Sequence, residues 1–148
     1  MPFSKDVETL NLYIELEKLR SENKFTAEIN IDKEVLNSDY KVPPLIVQPF
    51  VENAIQHGIR NKITNDGVLQ INIERIEDKI VYTIIDNGVG RTAAKELKTH
   101  ENESYGMRIS EDRIKLFNNE EKASIKIEDL FANNAPAGTK VMVQLKIK

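Results

Sequence analysis

The chain contains no cysteine. Neither a disulfide framework nor a thiolate metal site is therefore available to it. Histidine is scarce, with His57 and His100 the only two, and neither has a second histidine or carboxylate at the spacing a zinc site needs. No apolar run approaches the ~20 residues that cross a bilayer as a helix. The opening residues Met1–Lys5 lack the long apolar stretch of a secretion signal. Charge of one sign is also lacking: Lys and Arg number 21 against 24 Asp and Glu, for a net charge of −3. A nucleic-acid binder would show a basic face, so this balance argues against one. No internal repeat and no low-complexity tract interrupts the sequence.

What remains is an ordinary globular composition, 40% hydrophobic and 30% charged over 148 residues, which fits one domain with a substantial core. Asp6 to Arg20 reads as a helix with two apolar stripes, Val7, Leu10 and Ile14 on one side and Leu12, Leu16 and Leu19 on another. A helix apolar on two sides touches two partners, one of them the rest of the domain. Phe25 to Ile31 alternates as a strand. A helix is expected from near Pro44 to His57, capped at Gly58, with Pro49 forcing either a kink or a later start. Val68–Ile76 and Ile80–Asp86 alternate on either side of Glu77-Asp78-Lys79 and read as an antiparallel hairpin. Gly90 to Tyr105 reads as a polar loop with a short helix around Ala93–Leu97, and Gly106 to Asn118 as a helix. Ala123–Glu128 and Thr139–Ile147 read as the last two strands, joined by a turn over Asn133–Gly138. Strands in neighbouring antiparallel pairs, separated by helices, favour a two-layer α+β sandwich over a doubly wound parallel sheet.

Two segments carry chemistry. Asn53 stands on the second helix with Pro49, Gln56, His57 and Arg60 at three- and four-residue spacings. Its amide oxygen is a suitable hard ligand for Mg²⁺, and Glu52 is a possible base. An ordinary polar helix face is the plainer reading. Asp86 ends a strand, where its carboxylate can accept from an exocyclic amine such as adenine N6. Gly88 and Gly90 after it permit a close approach of backbone to ligand; a ligand-free Asn87-Gly88 hairpin turn reads equally well. Gly106 opens a helix whose free N–H groups suit phosphate, with Met107, Arg108 and Arg113 beside it.

Taken in order, Glu52-Asn53-Ala54-Ile55-x-His57-Gly58, Asp86-x-Gly88-x-Gly90, Gly106-Met107 and Gly138-Thr139 resemble the ATP-binding domain of histidine kinases. Tyr13-Ile14-Glu15, Lys18-Leu19-Arg20 and Val42-Pro43-Pro44-Leu45-Ile46-Val47-Gln48-Pro49 resemble more closely the LytS/YehU-type sensor kinases of the GHKL ATPase superfamily. The resemblance implies a Bergerat-type fold, a mixed and mostly antiparallel sheet packed on helices. It implies ATP and Mg²⁺ as cofactors, with Asn53 ligating the metal and Asp86 reading the adenine. Glu52 joins Asn53 as the catalytic pair. Gln56, His57, Gly88, Gly90, Gly106, Met107, Arg108 and Thr139 complete the nucleotide site, and Arg91–Tyr105 forms its lid.

By the same resemblance, residues 1–22 are the tail of an upstream helix that dimerises and bears the phospho-accepting histidine. Residues 23–148 are then the catalytic domain. A response regulator is the expected downstream partner, and the expected setting is the cytoplasmic part of an inner-membrane sensor. Some positions depart from the pattern. Pro49 stands where related ATPases place a Glu or Asn, Gln56 where Lys is usual, Ser104 where Gly is usual and Ile109 where Asn is usual. Neither His57 nor His100 sits in the acceptor motif. A gyrase- or chaperone-type ATPase and a non-enzymatic interaction module stay open as alternatives.

Overall fold

The computed structural model describes residues 2–21, 25–42, 46–59, 66–88, 112–114 and 125–146. The expected lid 91–105, Gly90, and the segment from Gly106 to Arg108 lie outside these residues.

The elements run α1 (Phe3–Arg20), β1 (Phe25–Ile31), α2 (Lys33–Leu36), α3 (Gln48–Asn53) with a π-helical continuation (Ala54–Ile59), β2 (Gly67–Ile76), β3 (Lys79–Asp86), β4 (Ile125–Ala132) and β5 (Ala135–Lys146). The five strands form one sheet in the order β1-β2-β3-β5-β4. β1 runs parallel to β2, and the remaining pairs are antiparallel. The result is the α+β architecture expected from the order of elements, with the mixed, mostly antiparallel sheet that the family resemblance implies.

Strand alternation decides which face meets the helices. Leu69, Ile71 and Ile73 of β2, Ile80, Tyr82 and Ile84 of β3, and Val141, Val143 and Leu145 of β5 are all buried in the core. Phe25, Ala27, Ile29 and Ile31 extend that face across β1, and Ile125 and Ile127 across β4. The helical side is supplied by Phe3, Val7, Leu10 and Ile14 of α1 and by Phe50, Val51, Ala54, Ile55 and Ile59. α1 buries only one of its two apolar stripes; Leu12, Leu16 and Leu19 remain 63%, 56% and 70% exposed. Its N-terminal end is tied down by the Phe3 N–H, which donates to the Tyr40 carbonyl at 2.9 Å.

Four boundaries differ from the sequence expectation. α2 was not foreseen: Asp32 caps it by accepting from the Glu34 N–H at 3.1 Å. The second long helix starts at Gln48, so that Pro49 occupies its first turn, where a missing N–H costs nothing. It passes His57 and Gly58 to Ile59 by widening into a π-helix. The last hairpin turns tightly at Asn133-Asn134, both at positive φ (53° and 63°), so β4 and β5 are longer than alternation alone suggested. A register shift between Leu130 and Phe131 marks a bulge in that pair.

Candidate functional site

Asp86 follows Ile80, Tyr82 and Ile84 at a two-residue period, so its side chain points to the helix-covered face of the sheet. It is 4% exposed. Burial pushes its carboxyl up to about 6, against the opposing pull of backbone N–H groups at Gly88 and Thr139. The Gly88 bond to Oδ1 measures 2.9 Å. Two backbone donors do not exhaust the acceptor sites of a carboxylate. Asp86 can thus accept a further donor from a ligand.

The strand opposite is shaped to this residue. Thr139 pairs directly with Asp86 across the β3–β5 ladder and is itself buried. Gly138, at φ +131°, lies so close that an added Cβ would stand 1.9 Å from the Asp86 carbonyl oxygen. Only glycine permits this approach. Gly138 was expected to be a turn residue; in the folded chain it is part of β5 and sets the wall beside Asp86.

Asn87 has a different task from its neighbour. Its Oδ1 accepts from the Val68 N–H at 2.6 Å, and its Nδ2 donates to the Asp66 carbonyl at 3.0 Å. It splices the end of β3 to the start of β2, which holds the turn after Asp86 in place. The Asp86-Asn87-Gly88 run is therefore no hairpin turn: β3 is joined to β2 and β5 on either side.

The second segment lies above the same end of the sheet. Asn53 is the last residue of α3, half-buried, at the point where the helix widens into its π-helical turn. Such π-segments concentrate at functional sites. At the far end of this turn Ile59 seats against Gly67, the first residue of β2, where an added Cβ would come 2.5 Å from Ile59 Cγ2. Gly67 precedes Leu69, the β2 partner of Asp86. Through Ile59, the segment that begins after Asn53 is thus seated at the end of β2 that pairs with Asp86.

Glu52 is half-buried, and its Oε1 accepts from Gln48 Nε2 at 3.2 Å. Gln56 is also half-buried. His57 is placed in the π-helical turn by its backbone. Gly88 is buried beside Asp86. Gly90, Gly106, Met107 and Arg108 fall outside the described residues. The sequence reading missed Asn87, which hid behind a common turn dipeptide.

Compared with known proteins, this architecture defines a class. The catalytic domain of histidine kinase ThkA, in a nucleotide-free form, superposes with a TM-score of 0.61 over 99% of this chain and 94% of that one, at 18% identity. The fold is therefore that of a histidine kinase catalytic domain. In sequence the chain is a homologue of the LytS sensor proteins. It is 36% identical to sensor protein LytS of Oceanobacillus iheyensis over 90 residues, which are 61% of this chain and 15% of that protein. It is also 30% identical to the uncharacterized protein YwpD of Bacillus subtilis over 118 residues, 78% of this chain and 41% of that one. The chain spans less than half the length of these curated relatives. No family model matches it.

Proposed function

We propose that this chain is the ATP-binding catalytic domain of a sensor histidine kinase. The observation that carries the reading is the buried Asp86 carboxylate, held at a strand end by two backbone N–H groups with acceptor capacity to spare, against a strand that only glycine lets come so near. That is a site for a planar ring with an exocyclic amine, and adenine fits it. Thr139 and Gly88 border the same position. His57, Gly90, Gly106, Met107 and Arg108 are assigned to the nucleotide site on the family resemblance, Gly90 to the pocket floor and Gly106 beside the phosphates.

Asn53 is the proposed metal ligand. Among the described residues no group of three or more His, Asp or Glu side chains forms a metal cage. A cation held by one amide would take its other ligands from phosphate and water, the shell that Mg²⁺ prefers. Bound Mg·ATP supplies the transferable phosphoryl group. The protein's part is to hold Asn53 and Asp86 in fixed positions and to exclude water from the ring site, since phosphoryl transfer depends mainly on positioning and charge neutralisation. Glu52, bonded to Gln48, is assigned as the polar partner beside Asn53.

The acceptor is proposed to be a histidine on a helix upstream of α1, with residues 1–22 as that helix's tail and residues 23–148 as the catalytic domain. A response regulator aspartate then receives the phosphoryl group. The exposed Leu12, Leu16 and Leu19 stripe supports a helical partner for α1 within a homodimer. Among the described residues no helix is long and apolar enough to cross a membrane; the setting proposed is the cytoplasmic side of a membrane sensor.

Calorimetric titration with ADP and with Mg·ATP tests the reading. Saturable binding by the parent protein, lost in Asp86→Asn, is the expected result. Unchanged affinity in that variant removes Asp86 from the ring site. Rapid phosphate release by the chain alone would instead select a water-activating ATPase, and no binding of any adenine nucleotide a non-enzymatic module.

A further inference from the structure

We propose that the exposed face of α1 is a seam for the same helix of a second copy of this chain, parallel to it and held in register by Glu15 against Arg20 of the second copy. The inference rests on the homodimer proposed above and names what α1 meets in it; it does not depend on the nucleotide site.

Leu12, Leu16 and Leu19 follow one another at intervals of four and three residues. That is the d–a–d spacing of a two-stranded coiled coil. With 3.6 residues per turn, this stripe points almost directly away from the stripe of Val7, Leu10 and Ile14 that α1 buries in the core. The three leucines are exposed, so the fold of one chain does not use them. In the same frame Glu8 and Glu15 take g positions on one flank, and Arg20 takes an e position on the other. Beside the glutamate flank runs a cleft of about 330 Å³, lined by Ser4, Val7, Glu8, Asn11, Leu12 and Glu15. It gives room for the side chains of an approaching helix.

Charge selects the occupant and its direction. The Glu15 and Arg20 side chains are 72% and 68% exposed. Lys18 Nζ comes no nearer to Glu15 Oε1 than 4.0 Å. Arg20 donates to Glu17 through Nη1 at 3.1 Å, and a guanidinium carries further N–H groups. In a parallel pair a g residue faces the e residue five positions later on the other helix, which sets Glu15 against Arg20 twice by symmetry. In an antiparallel pair g faces g, and glutamate would meet glutamate. The face is therefore complementary to itself in one direction only. α1 has 18 residues, so the seam is short. Association must also offset lost translational and rotational freedom, which puts the dimer at high protein concentration.

Sedimentation of the whole 148-residue chain at rising concentration is expected to show a monomer–dimer equilibrium. Leu16→Glu is expected to abolish it. Glu15→Arg turns the attraction to Arg20 of the second copy into repulsion and is expected to weaken it about tenfold. Lys5→Cys reads the direction. Lys5 lies on the same stripe, seven residues before Leu12, and the chain has no cysteine of its own. Only a parallel seam brings the two copies of position 5 within the ~6 Å Cα separation that a disulfide spans. Mild oxidation is thus expected to link two copies, and adding Leu16→Glu to prevent the link. A parent chain that stays monomeric overturns the seam. So does a dimer that Leu16→Glu or Glu15→Arg leaves at parental strength, or one that Lys5→Cys fails to link. ADP titration of the same proteins separates the two readings: a monomeric parent that binds ADP overturns the seam alone, and a dimeric parent that binds no nucleotide overturns the kinase reading alone.

Discussion

Asp86 concentrates the chemistry of this chain in one group. Its folded-state carboxyl titrates near 6, above its ordinary value of 3.8, because burial disfavours the anion. Below the ordinary value both folded and unfolded chains hold the proton, and the group has no effect on stability. As pH rises between the two values the unfolded chain releases its proton first, so stability is lost. Above about 6 the loss is complete and constant, at most about 3 kcal/mol. Urea unfolding of the parent and of Asp86→Asn at pH 4 and pH 8 should show the parent losing ground to the variant at the higher pH. An identical difference at both pH values would show that Asp86 titrates as an ordinary carboxyl. On the proposed reading the same anion accepts the adenine amine, so ADP affinity in the parent should fall as pH drops through about 6. Asn53 is half-buried with no core role. Asn53→Ala should therefore leave stability nearly intact and weaken Mg·ATP binding more than Mg²⁺-free ADP binding; calorimetry with both ligands measures the difference.

At the scale of elements, the site depends on how β3 and β5 meet. Their ladder sets Thr139 opposite Asp86, and the positive φ of Gly138 brings β5 against the Asp86 backbone. Gly138→Ala must move one strand from the other. The expected cost is roughly 2–6 kcal/mol from backbone strain and overlap together, read as a lower urea midpoint, with ADP affinity falling in the same variant. A well-folded Gly138→Ala protein with parental affinity would show that the close approach is dispensable. Most of these elements were legible beforehand. Period-two alternation located β2 and β3 almost to the residue, because each buries one face of the sheet and a one-residue slip would turn every side chain over. The β4–β5 turn was overestimated because Ala135, Pro136 and Ala137 carry no alternation; Ala135 and Pro136 owe their strand state to pairing with β4, and Ala137 is the extra residue at the bulge. The π-helical turn was invisible, since its departure from 3.6-residue periodicity is set by packing on the sheet.

At the scale of the molecule, α1 presents two faces with separate duties. The buried stripe is part of the core: Leu10→Ala, at a site 4% exposed, should cost about 2–5 kcal/mol by leaving a cavity between α1 and the sheet. Leu12→Ala, on the 63% exposed stripe, should change stability by no more than about 0.5 kcal/mol. Urea denaturation of the two variants side by side checks the contrast, and equal losses would mean that both stripes are covered in solution. The sequence anticipated two apolar stripes on this helix but could not say which one the domain uses.

The sequence by itself determined the strand alternation, the constraint that Pro49 places on its helix, and the identity of Asp86 and Asn53 as the two groups worth attention. Local period, fixed φ and functional-group chemistry are properties of short segments and need no partner to be read. The tertiary structure alone decided that Asp86 titrates high, that Gly138 makes room for it, and that the π-helical turn seats Ile59 against Gly67. Desolvation, steric approach across a ladder and contact between distant segments exist only once the layers close.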